Sequence, residues 1–357
     1  MKISRNNLFL VFILCLVITI ILTACAGQAS DNQDIKNIYD ITKEGETEAS
    51  TRLKITVTPT TSPTPTPEIR QVKTSQVSIS MVGDMLLHMP LQESGRMEDG
   101  SLNYDHLFAN VKDEIKDSDL AIVNQEVILA GSELGLSGYP TFNGAYEFAD
   151  ALVNAGFNFI LHATNHTLDK GKKGVENCIN YWESNYPEIT VVGINKSQEQ
   201  QDNKICIYEK DGIKIAVLNY TYGTNGIPLP DDMPYIVNLL DKDRIETDVK
   251  KAKELADFVI VTPHWGIEYE HTQSKEQIDL AHFMADLGVD LVIGTHPHVV
   301  QPVEWIESDN GNKMLIYYSI GNFVNSTSST GDGVTNRMIG AMAEVTVQKV
   351  EGEEAFI

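Results

Sequence analysis

Between residues 77 and 347 the chain alternates short apolar runs with stretches of helical spacing, and most of those runs lead to polar residues able to do chemistry. Residues 77–82 end at Gly83-Asp84, residues 120–123 at Asn124-Gln125-Glu126, and residues 157–161 lead to Asn165-His166. Residues 258–261 lead to His264-Trp265-Gly266, residues 289–293 to His296-Pro297-His298, and residues 314–319 to Gly321-Asn322. Between them, Phe148, Leu152 and Ala155, then Val175, Ile179 and Trp182, then Ile245, Val249 and Ala252 keep the spacing of helices with one buried stripe. The alternation of apolar runs with helices predicts an α/β layered domain with a largely parallel sheet. In such sheets ligands bind outside the carboxyl ends of the strands. The polar residues are therefore expected to gather at one edge.

The residue types narrow the chemistry. Asp84, Glu126, Asn165, His264, His296 and His298 offer carboxylate, amide oxygen and imidazole, a donor set that suits zinc, manganese or iron. No thiolate accompanies them, which argues against a structural zinc finger. The residue before a proline is pushed towards extended backbone, and in extended chain residues i and i+2 face the same side. Both imidazoles of His296-Pro297-His298 are then expected to reach one site. A carboxylate able to bridge, with histidines on either side, is what a two-metal hydrolytic centre requires. Blander readings exist for each residue alone: Asp84 as a cap, Asn165 as a turn residue, His264 as a hydrogen-bonded structural histidine. Their convergence on one sheet edge favours the metal site. His106, His162, His271 and His282 lie outside these motifs and are read as ordinary histidines.

The first 24 residues form a separate object. Lys2 and Arg5 precede an apolar run over residues 8–24, the pattern of a secretory signal. Leu22-Thr23-Ala24-Cys25 resembles a bacterial lipobox, which implies that Cys25 is lipidated and holds the chain on the extracytoplasmic face of the membrane. An uncleaved signal anchor is the alternative. Residues 25–74 read as a stalk, acidic at first and then Thr/Pro-rich over residues 58–67, with too little apolar surface to form a core. The folded domain is expected over residues 75–357. Its last residues, 351–357, read as the returning strand of a hairpin, as if the sequence were cut short there. Cys178 and Cys206 remain in that domain. Export would permit a disulfide between them, and two buried thiols are the alternative. With 27 Lys+Arg against 50 Asp+Glu the net charge is −23, which argues against nucleic acid as a partner.

The motifs Gly83-Asp84, Asn124-Gln125-Glu126, residues 163–171, residues 264–269, residues 294–298 and residues 319–323 occur in this order. Together they resemble the CapA/PgsA family of bacterial poly-γ-glutamate capsule proteins, over about residues 76–345. That family is similar to the calcineurin-like metallophosphatases, and the likeness implies a two-sheet α/β/β/α sandwich around two divalent metals. Asp84 and His298 would bind one metal; Asn165, His264 and His296 would bind the other; Glu126 would bridge. His166 would be the general acid. Asn124, Asp169, Glu268 and Asn322 would orient these groups by hydrogen bonds. Two positions depart from the pattern: Leu86 stands where a ligand histidine is expected, with His88 two residues on, and Gln125 replaces the usual leucine. The resemblance implies work on an anionic capsule polymer such as poly-γ-glutamate, with synthase or export subunits as partners. A surface hydrolase of phosphoesters or amides unrelated to capsule, and a non-catalytic module that binds polymer or cations, are the alternatives.

Overall fold

The computed structural model describes residues 72–326 and 333–357, so the expected signal, the expected lipobox and most of the expected stalk lie outside the described residues. The chain first lays down the parallel strands β1 (Thr74–Met85), β2 (Leu120–Asn124), β3 (Phe159–Leu161) and β4 (Thr190–Val192). It then builds a second sheet from β5 (Cys206–Lys210), β6 (Ile213–Thr221), β7 (Phe258–His264), β8 (Leu291–Ile293), β9 (Val303–Glu307) and β10 (Lys313–Tyr317). It returns to the first sheet with β11 (Asn322–Val324), β12 (Met342–Val350) and β13 (Ala355–Phe356).

The spatial orders are β13-β12-β1-β2-β3-β4, with β11 also paired to β1, and β5-β6-β7-β8-β10-β9. The sequence reading from strand and helix alternation describes one largely parallel sheet; the structure has two, the first parallel from β1 to β4 with antiparallel β12 and β13 on one side, the second parallel in the middle with an antiparallel strand at each edge. The second sheet opens with the β5–β6 hairpin, whose turn residues Asp211 and Gly212 have φ of 52° and 80°. Positive φ at both central residues gives the twist that tight hairpins need, and Asp-Gly supplies it.

Strand burial explains the apolar runs. Along β2, Leu120 and Ile122 point into a core shared with Ile215, Val217, Phe258 and Ile260 of the second sheet. Ala121 and Val123 point the other way, into a core with Phe148 and Leu152 of the helix Glu147–Ala155 and with Val175, Ile179 and Trp182 of the helix Gly171–Asn185. The second sheet repeats the arrangement: Leu218, Val259, Val261 and Val292 pack against Ile245, Val249, Leu280 and Met284 of the helices Lys242–Leu255 and Lys275–Asp286. Three apolar layers between helix, sheet, sheet and helix make the α/β/β/α sandwich. Ser274 and Gln277 start the Lys275–Asp286 helix with a reciprocal capping box.

Cys178 and Cys206 are free buried thiols in different cores, one beneath a helix and one between the sheets. His162 is buried, accepts from Trp182 Nε1 at 3.2 Å, and burial holds its pKa down at about 3. His106 meets Ser94 at the surface, His271 reaches the Val300 carbonyl at 3.4 Å, and His282 is exposed. The closing residues do form a hairpin, with Gln348 opposite Phe356.

Candidate metal centre

β1 carries Asp84 into the site because Gly83 lets two backbones meet. A Cβ on Gly83 would stand 1.9 Å from the Gly321 carbonyl oxygen. The same approach lets Asp84 N donate to that oxygen at 3.0 Å and sets Asp84 opposite Asn322 of β11. Asn124 closes β2, His264 closes β7, and the His296-Pro297-His298 turn follows β8. The neighbouring strand ends converge because β1 pairs β2 and β7 pairs β8, both in parallel.

His296 and His298 share the site, with ring centroids 5.6 Å apart, but not through extended backbone. Their φ angles are +95° and +58°. The i, i+2 argument thus reached the right juxtaposition by the wrong conformation. A residue held at positive φ costs about 1–3 kcal/mol, and such strain is characteristic of functional sites. Asp84 over-determines the turn: both its carboxylate oxygens accept from His296 N at 3.2 Å, and Oδ2 meets His298 Nδ1 at 3.0 Å. Asn124 Nδ2 donates to Asp84 Oδ1 at 2.8 Å.

Ligand atoms of Asp84, Glu126 and His298 lie within 4.8 Å of one another, and so do those of Glu126, His264 and His296. Glu126 belongs to both groups. His264 Nε2 is 3.7 Å from Glu126 Oε1 and 3.0 Å from Asn165 Oδ1, and His298 Nε2 is also 3.7 Å from Glu126 Oε1. His264 Nδ1 meets Thr295 Oγ1 at 3.0 Å and stands 3.9 Å from Asp84 Oδ1. Glu268, expected only to orient its neighbours, forms a third such group with His296 and His298.

This arrangement fits a cation. Glu126 is 1% exposed, yet neither carboxylate oxygen has a hydrogen-bond partner. His296 Nδ1 is likewise buried and unpaired. A buried carboxylate without hydrogen bonds is costly, and burial, opposed only in part by His298, drives the Glu126 pKa well above its ordinary range. Burial also pushes His264 well below its usual pKa and His296 down to about 3, with the neighbouring imidazoles adding to both. For His298 burial acts the same way, but Glu126 together with the hydrogen bond and charge of Asp84 outweighs it and lifts the group to about 9. A divalent ion among these donors would satisfy Glu126 and replace that proton.

Beside the cluster, His166 Nδ1 meets Asp169 Oδ2 at 2.7 Å, and that oxygen also accepts from Phe142 N at 2.6 Å. The Phe142 ring stands edge-on to His166 with centroids 4.7 Å apart. The imidazole is fixed through one nitrogen, which leaves Nε2 for chemistry. Asn322 Nδ2 donates to the His298 carbonyl at 3.1 Å. Leu86 is part of a core, and His88 packs on Phe142 at 5.1 Å; neither joins a ligand group among the described residues. Gln125 is buried, its amide donating to the Val127 carbonyl at 2.7 Å.

Four further residues, of which only Tyr269 and Thr295 stand in the sequence motifs and none had a role assigned, line the site. Asn225, at φ +50°, accepts from Asn165 Nδ2 at 3.3 Å and stands 3.4 Å from His166 Nδ1. Tyr222 lies over His296 at 4.6 Å, Tyr269 sits 6.0 Å from the His298 ring, and Thr295 holds His264. Asn225-Gly226 is a turn signal, but nothing local shows which histidine the turn returns to.

Comparison with known proteins gives a match to the family model "Bacterial capsule synthesis protein PGA_cap" over residues 78–327. The chain is 31% identical over 179 residues to the PGA biosynthesis protein CapA of Bacillus subtilis (strain 168), covering 50% of this chain and 45% of that one. It is 28% identical over 272 residues to the capsule biosynthesis protein CapA of Bacillus anthracis, covering 72% and 61% respectively. The chain thus spans about half to three fifths of the length of these relatives. Among solved structures it is distantly similar to the calcineurin-like phosphoesterase YfkN of Bacillus subtilis, at 15% identity and a TM-score of 0.41 over 79% of this chain and 90% of that one. It is also similar to the NAD nucleotidase of Haemophilus influenzae, at 14% identity and a TM-score of 0.46 over 79% and 55%. The matched residues 78–327 contain every candidate ligand, and on that match the chain belongs to the bacterial capsule synthesis protein family.

Proposed function

We propose that this protein acts at the cell surface in the synthesis or export of an anionic capsule polymer such as poly-γ-glutamate, through a hydrolase-type centre holding two divalent metals. The observation that carries the reading is Glu126, a buried carboxylate with no hydrogen bond to either oxygen, shared by two groups of ligand atoms. Asp84, Glu126 and His298 would hold one metal, and Glu126, Asn165, His264 and His296 the other. The metals, manganese, zinc or iron, would supply Lewis-acid polarisation and a lowered pKa for water. His166, fixed through Nδ1 by Asp169, would present Nε2 to protonate a leaving group, on a phosphoester or on an amide such as a γ-glutamyl bond. Lipidation at Cys25 would hold the domain beside synthase or export subunits in the membrane. A chain of net charge −23 repels a polyanion at long range, so the reading also requires cations at the site of contact.

Leu86 favours a second reading, a non-catalytic subunit that binds cations or polymer. One complementation experiment separates the two. Deleting the gene is expected to abolish most surface anionic polymer, wild type to restore it, and Glu126→Gln and His166→Gln each to fail. Restoration by His166→Gln but not by Glu126→Gln would favour the non-catalytic reading. Unchanged polymer in the deletion strain would rule out the capsule role.

A further inference from the structure

The described residues include three arginines, and two of them are occupied. Arg96 pairs with Glu93 at 3.1 Å, and Arg244 with Asp202 at 2.9 Å and Asp248 at 2.8 Å. Arg337 has no carboxylate partner among the described residues, although the chain carries 50 Asp and Glu. Its guanidinium instead lies 5.0 Å over the ring of Tyr269, whose other neighbour is the His298 ring at 6.0 Å. Its Nε is buried and has no hydrogen-bond partner.

The backbone beneath it is held firmly. The Arg337 carbonyl accepts from Asn322 Nδ2 at 2.9 Å and from Asn325 Nδ2 at 3.0 Å, and Asn322 Nδ2 also donates to the His298 carbonyl. Tyr269 N donates to the Pro297 carbonyl at 2.8 Å. Both the arginine and its aromatic platform are therefore tied to the turn that presents His296 and His298. A guanidinium that is stacked, anchored at its base and left without an anion offers a planar fork of donors matched to carboxylate or phosphate.

We propose that Arg337 binds an oxyanion of the substrate, a carboxylate or a phosphate, at the mouth of the candidate centre on the Tyr269 platform. The proposal deepens the hydrolase reading and rests on it only for what lies beside the arginine.

Isothermal titration of the full chain with inorganic phosphate and with γ-linked tetraglutamate tests it, using wild type, Arg337→Gln and Arg337→Lys, with metal content measured on each. Wild type is expected to bind at least one probe. Arg337→Gln should weaken that binding about tenfold or more with metal content unchanged, and Arg337→Lys should recover part of it. Loss confined to phosphate would identify a phosphoester anion, and loss confined to tetraglutamate a glutamyl carboxylate; either supports the proposal. Equal binding by wild type and Arg337→Gln would overturn it, as would a wild type that binds neither probe. A wild type without metal whose probe binding still falls in Arg337→Gln would remove the metal reading and leave this one. Bound metal with no effect of Arg337→Gln would do the reverse.

Discussion

Replacing Glu126 by leucine is expected to stabilise the metal-free protein and to leave it the less stable form once metal is present. Neither oxygen of this 1% exposed carboxylate has a hydrogen bond, and the imidazole of His298, 3.7 Å away, offsets only part of their desolvation. Exchanging a whole buried ion pair for well-packed apolar volume commonly gains 1–4 kcal/mol; here only one partner is removed and His298 keeps Asp84 at 3.0 Å, so a smaller gain of about 1 kcal/mol is expected. Wild type gains in turn from any ion that binds only the folded state, about 4.1 kcal/mol at a free concentration a thousand times Kd. The variant lacks the residue shared by both ligand groups and should gain far less. Urea unfolding in chelator and in excess manganese or zinc measures both states. A variant less stable than wild type in chelator would mean that Glu126 is an ordinary packed residue.

Gly83→Ala is expected to be strongly damaging, costing about 3 kcal/mol or more. Its Cβ would meet the Gly321 oxygen at 1.9 Å, the Gly321 carbon at 3.0 Å and Ile320 Cγ1 at 3.3 Å. Two of these are backbone atoms that no rotamer change can move. Overpacking a tight core costs 1–3 kcal/mol, and here relief would also break the bond from Asp84 N to Gly321 O. Gly223→Ala is the control: nothing lies within 4 Å of its Cβ, and a change within about 0.5 kcal/mol is expected. Similar urea midpoints for the two variants would contradict the close approach of β1 and Gly321.

What could be read from the sequence was local. Apolar runs and helical spacing report burial of one segment at a time, and the strand ends at Asp84, Asn124 and His264 follow from them directly. Partition into two sheets is a pairing decision between distant segments. The β11 strand, which seats Asn322 opposite Asp84, has three residues, too short to carry a pattern. The turn at His296-Pro297-His298 defeated the usual rule for a residue before proline because Asp84 accepts from its backbone and imidazole. Tyr222, Asn225 and Tyr269 lie on loops whose destination is set by tertiary contacts alone. Leu86 shows the converse. Its side chain belongs to a core and its N–H donates to Val324 O at 2.9 Å, so the position serves packing, while Glu268 comes within reach of His296 and His298.

The metal content of the full chain, by elemental mass spectrometry on wild type, His296→Ala and Asp84→Ala, tests the central claim most directly. The ligand groups predict about two divalent ions per wild-type chain, with fewer in either variant. A wild type that holds none, even after incubation with manganese, zinc or ferrous iron, would contradict the metal centre.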